Sequence, residues 1–86
     1  MGKSKRSRVE LYADVLRSLK VQEDGCRITR LAYASNMPLD RMKKVANELI
    51  SHGLVSPRVD DPSIYVITKR GWEFLDAFNK LSMFLE

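Results

Sequence analysis

The sequence contains a single cysteine and a single histidine, too few to close a disulfide within the chain or to build a four-ligand zinc site. Cys26 reads as a small, half-buried residue near a helix start. His52 reads as a last-turn residue that favourably opposes a helix dipole. No serine, cysteine or carboxylate pairing surrounds His52, so no catalytic triad is implied. The expectation is a protein that is not an enzyme, with no cofactor, metal or small-molecule substrate. The four glycines stand alone at 2, 25, 53 and 71, which excludes a phosphate-cradling glycine loop. No apolar run approaches the roughly 18–20 residues that a membrane span needs. The first residues lack the apolar stretch of a secretory signal. A cytoplasmic, nucleoid-associated location away from membranes is therefore expected.

What the chain does have is charge, unevenly placed. Its 86 residues suit one domain, and 44% hydrophobic residues are enough for a core. The net charge of +4 is matched by Lys3, Lys5, Arg6 and Arg8 at the beginning, so the remainder balances. Within that remainder, residues 27–44 hold Arg27, Arg30, Arg41, Lys43 and Lys44 against Asp40 alone. The last sixteen residues lean acidic, with Glu73, Asp76 and Glu86 against Lys80. Such polarity turns a basic end towards a polyanion.

Local signals divide the chain in order. Ser7-Arg8-Val9-Glu10 fits a capping box, followed at helical spacing by Val9, Tyr12, Leu16 and Leu19, widened by Leu11 and Val15. Residues 21–25 form a turn. Arg27 to Ser35 makes a short helix with Ile28, Leu31 and Ala32 on its apolar side. Asn36-Met37-Pro38 then interrupts, since proline disfavours helical geometry in the residue before it but suits a new helix start. A second helix from Pro38 to His52 turns Leu39, Met42, Val45, Ala46, Leu49 and Ile50 inward, and Gly53 suits a left-handed stop. This is helix-turn-helix spacing. Leu54-Val55-Ser56 and Ile64-Tyr65-Val66-Ile67 read as two strands joined by the turn-forming residues 57–63. Thr68 can cap a last helix.

The ordered set of segments resembles a known family. Ile28-Thr29-Arg30-Leu31-Ala32-Tyr33-Ala34-Ser35-Asn36-Met37 is similar to a segment of small archaeal winged-helix DNA-binding proteins, a group that includes the ten-kilodalton crenarchaeal chromatin proteins. Residues 46–55 resemble the end of that family's recognition helix, residues 65–75 its second wing strand and last helix, and residues 6–10 its opening. Pro38 stands where the family commonly has a serine cap. The resemblance implies double-stranded DNA binding, as a transcription regulator or a chromatin protein, and dimerisation through the last helix.

The expected architecture is thus α+β and mostly helical: a winged helix-turn-helix with a two-stranded wing and a C-terminal helix used for dimerisation. Residues 1–6 form a basic flexible tail, 7–75 the DNA-binding domain, and 69–86 the last helix, core first and dimer contact after. A recognition helix presents its first half to base edges in the major groove, where Arg and Lys suit guanine and Asn suits adenine. The candidates are Arg41, Lys43, Lys44 and Asn47, with Asp40 capping the helix or pairing with Lys44. Arg27 and Arg30 are expected at phosphates, as are Lys3, Lys5, Arg6 and Arg8 of the tail region, along the backbone or minor groove. In the wing Arg58 suits a phosphate, whereas Asp60 and Asp61 oppose one. On the last helix Trp72 and Leu75 are expected in the core. Phe74, Phe78, Leu81 and Leu85, spaced by four, three and four, form a coiled-coil-like seam for a homodimer. Two rival readings are a non-specific chromatin-type packager and a winged-helix protein-interaction module that does not touch DNA.

Overall fold

In the computed structural model, which describes residues 7–22 and 24–85, the first helix begins where its capping signal lies. The Ser7 hydroxyl accepts from the Glu10 N–H at 3.1 Å, and the Glu10 carboxylate accepts from the Ser7 N–H at 3.0 Å. Two donors that a helix start leaves orphaned are so satisfied. The helix that follows, α1 (Arg8–Lys20), buries Leu11, Tyr12, Ala13, Val15, Leu16 and Leu19. Val9, expected in this stripe, stands exposed on the opening turn.

Helices α2 (Ile28–Ala34) and α3 (Leu39–Ser51) lie against each other and enclose the core from the other side. Leu31 and Ala32 from α2 meet Met42, Val45 and Leu49 from α3, and together with α1 they form one apolar cluster. Fully burying side chains of this size contributes roughly 1.5–3 kcal/mol each.

The turn between α2 and α3 is a hydrogen-bonded helix stop. Asn36 adopts a left-handed φ of 53°, which asparagine tolerates better than most residues. Its N–H donates to the Tyr33 carbonyl at 3.1 Å, and the Met37 N–H reaches the Ala32 carbonyl at 2.9 Å. That pair of bonds is a Schellman motif. α3 ends the same way around Gly53, φ 76°, with Gly53 N–H to the Ile50 carbonyl and Leu54 N–H to the Leu49 carbonyl, both 2.9 Å. The reversal needs a left-handed residue at each end, and asparagine supplies one where glycine supplies the other.

The sheet differs from expectation in having a third strand. β1 (Cys26–Arg27), β2 (Val55–Pro57) and β3 (Ile64–Ile67) pair antiparallel in the order β1-β3-β2, with Cys26 opposite Tyr65 and Val55 opposite Ile67. Arg27 therefore closes β1 and caps α2 rather than lying inside the helix. Cys26 is buried, not half-buried. Gly25 permits the close approach, since its φ is 86° and a Cβ there would overlap the Tyr65 carbonyl and the Val66 side chain.

Thr68 caps the last helix, α4 (Lys69–Phe84). Its hydroxyl accepts from the Gly71 N–H at 3.0 Å and donates to the Gly53 carbonyl at 2.7 Å, so one oxygen joins the start of α4 to the end of α3. Gly71 and Leu75 face inward. That rotation corrects two expectations. Trp72 is not core but 46% exposed, with the Lys20 ammonium 5.1 Å above its ring. Phe74 and Phe78 are not a free seam: both pack partly buried on the core, Phe74 beside Tyr12 and Phe78 beneath the Arg17 guanidinium. Further along, Leu81, Met83, Phe84 and Leu85 are 58–84% exposed.

Candidate nucleic-acid interface

α3 owes its two-sidedness to spacing. Met42, Val45, Ala46 and Leu49 point inward, and Arg41, Lys43, Lys44 and Asn47 therefore project outward and are exposed. Among the described residues these four have no ion-pair or side-chain hydrogen-bond partner. Arg30, exposed on α2, is in the same condition. Other cations are committed. Arg8, Arg17, Arg27, Arg58 and Lys80 each lie within 3.5 Å of a carboxylate oxygen.

Arg41, Lys44 and Asn47 line an open groove whose far wall is formed by Arg8 and Leu11 of α1. The α2–α3 turn closes one end through Ser35, Asn36 and Met37. Asp40 also borders it and sits in the first turn of α3, where a carboxylate complements the helix dipole. Lys43, Arg27, Arg30 and Arg58 lie outside this groove. Lys3, Lys5 and Arg6 lie outside the described residues.

Two expected phosphate ligands are occupied within the wing. Arg27 donates to the Ser63 hydroxyl and reaches Asp61 at 3.5 Å. Arg58 forks onto Asp60 and donates to the Asp24 carbonyl at 3.3 Å. The Arg58 guanidinium holds the Asp60 carboxyl below the usual range, and hydrogen bonds from Ser63 do the same for Asp61. Both acids stay ionised, so the wing tip presents paired rather than free charge.

A polar cluster between α1 and α3 was not expected from the sequence. Glu48 accepts the Tyr12 hydroxyl at 2.6 Å and the Arg8 guanidinium at 2.9 and 3.1 Å. The Tyr12 hydroxyl, with help from Arg8, lowers the Glu48 pKa, while burial and the Glu48 charge raise that of Tyr12. The Tyr12 ring rests between His52 and Phe74, with centroids 5.8 and 6.4 Å away. The one signal available was the phenol itself, since a buried tyrosine hydroxyl needs a polar partner. Tyr33 was also missed; it stands 89% exposed on α2, three residues beyond Arg30. No helix among the described residues is long and apolar enough to cross a membrane.

A family model described as winged helix-turn-helix matches residues 5–86, nearly the whole chain. No curated protein matches it.

Proposed function

The chain belongs to the winged helix-turn-helix family, and from that premise we propose that it binds double-stranded DNA with α3 in the major groove, as a transcription regulator. The supporting observation is the group of exposed, unpartnered cations Arg41, Lys43 and Lys44 beside Asn47 on one side of α3. A cation without an internal partner reaches a phosphate or a base edge without first breaking an ion pair. Arg30 on α2 supplies a backbone contact of the kind made by the first helix of such motifs. Lys3, Lys5 and Arg6 precede Arg8 in sequence and add basic charge for further phosphate contacts. Arg27 and Arg58 contribute less than their charge suggests, because each must first leave a carboxylate.

The same reading makes the protein a homodimer through the end of α4. Leu81 and Leu85, with Phe84 on the same side of the helix, leave large apolar side chains in water, and an exposed apolar face of this kind marks an interface. Phe74 and Phe78 add to the seam only through the edges that the core leaves uncovered.

The test is duplex affinity across a salt series. Engagement of about five phosphates gives a slope of log affinity against log salt of roughly −4 to −5. A flat dependence, or no binding at low salt, overturns the proposal and favours a protein-interaction module.

A further inference from the structure

Glu48 is an acid set into a basic groove. Its neighbours along the groove are Lys44, Asn47 and Arg41, with Asp40 in the first turn of α3, and a second bare carboxylate at Glu48 would further repel the phosphates that the cations attract. It is not bare. Arg8, from the first turn of α1, spans to it with one nitrogen shared between both carboxylate oxygens, at 2.9 and 3.1 Å. Tyr12, one turn further along α1, fixes the same carboxylate with its hydroxyl at 2.6 Å. The ring of Tyr12 is buried and held by its aromatic neighbours, so the hydroxyl is delivered from a rigid base. The carboxylate is thus positioned before Arg8 arrives, which lowers the ordering entropy of the pair relative to one between two mobile chains.

Resting on the DNA-binding reading above, we propose that Glu48 is a positioning residue of the interface: it keeps the Arg8 guanidinium against α3 and off the DNA phosphates. Departure of Arg8 to a phosphate would expose the Glu48 charge to the same polyanion. One gained contact is then opposed by one new repulsion, whereas the intact pair approaches DNA neutral. Arg8 accordingly leaves the set of phosphate ligands in which its charge alone had placed it. Its work is to tie the start of α1 to the side of the recognition helix.

The experiment compares the salt dependence of duplex binding by the full chain, by Glu48→Gln, and by Glu48→Gln with Arg8→Ala. Glutamine keeps an acceptor for Tyr12 and the shape of the side chain, while removing the charge that holds Arg8. The single change is expected to steepen the slope by about 0.9, the value of one additional phosphate contact. The double change is expected to return the slope to that of the wild type. A single variant with the wild-type slope overturns the proposal, because Arg8 was then not being withheld. A double variant that stays steep overturns it too, since deletion of an acid would explain the change without Arg8. A wild type that does not bind duplex at low salt instead removes the underlying reading, a result distinct from both.

Discussion

Gly71 of α4 lies in backbone contact with Leu54: a Cβ on the glycine would overlap the Leu54 carbonyl oxygen and crowd the Ile67 side chain. Alanine is the better helix former by about 1 kcal/mol, so helix propensity alone favours Gly71→Ala. Overpacking against a carbonyl that cannot swing aside outweighs that gain. The variant is expected to lose about 1–3 kcal/mol in denaturant unfolding. An alanine variant as stable as wild type would show that α4 can back away from the sheet.

Removing the hydroxyl in Tyr12→Phe leaves the ring packing intact and deletes only the bond to Glu48. Bonds to charged groups contribute about 1.5–3 kcal/mol when well shielded. Glu48 is partly exposed, so the expected loss is nearer 1 kcal/mol. In a double-mutant cycle with Glu48→Ala the two losses should not add. Full additivity would mean that the bond contributes nothing to the fold.

Acid should weaken the fold through the same carboxylate. The Tyr12 hydrogen bond, aided by Arg8, puts the Glu48 pKa below its ordinary 4.5. Its contribution is therefore present above that value and lost as pH falls through the lowered one. Between about pH 6 and about pH 3 the wild type should lose more stability than Glu48→Gln. Parallel curves would reject the linkage. At the alkaline end Tyr12 works in the opposite sense: its pKa lies above the ordinary 10.0, and its contribution fades as pH climbs through the raised value.

Lys44→Ala and Asn47→Ala are expected to change which duplex sequences are preferred, by about 1–3 kcal/mol of discrimination at a base-edge contact. Arg30→Ala should weaken all sequences alike. Competition binding with a randomised duplex pool separates the two behaviours. Uniform weakening by all three changes would point to a non-specific packager.

Charging the end of α4 should abolish dimerisation. Leu81→Asp with Leu85→Asp is the informative pair, because both residues are exposed. Phe78→Asp would unpack the core instead. Sedimentation at tens of micromolar should show a wild-type dimer and a monomeric variant; a wild-type monomer rejects the dimer, and a variant that stays dimeric places the contact elsewhere.

The helices, the caps of α1 and α4 and the Gly53 stop were legible because each depends on residues within one turn of each other. Ser7 and Glu10 are three apart, as are Thr68 and Gly71. β1 was not legible. Two residues carry no alternation, and the pairing of Cys26 with Tyr65 joins distant parts of the chain. The candidate site divides along the same line. The outward set Arg41, Lys43, Lys44 and Asn47 follows from helical period alone. The occupation of Arg27 and Arg58 depends on how the wing folds back, and the Tyr12–Glu48 bond joins residues 36 apart. Trp72 was misplaced for a related reason: it was expected in the core with Leu75, while the close approach of Gly71 to Leu54 turns the Gly71 face of α4 inward instead.

The junction of β1 and α2 has a consequence for how this chain tolerates change in length. Arg27 ends the strand and Ile28 begins the helix with no residue between them. Deleting one residue here would exchange the inward Cys26 for the outward Arg27, since a one-step shift reverses every side of a strand. Shifting it into the helix instead would turn α2 by about 100° and carry Leu31 and Ala32 away from the core. The segment between β2 and β3 has neither constraint, being a surface connection between two paired strands. Insertions and deletions should therefore accumulate in the wing and be absent at residues 26–28, and an added peptide tag is best placed between β2 and β3.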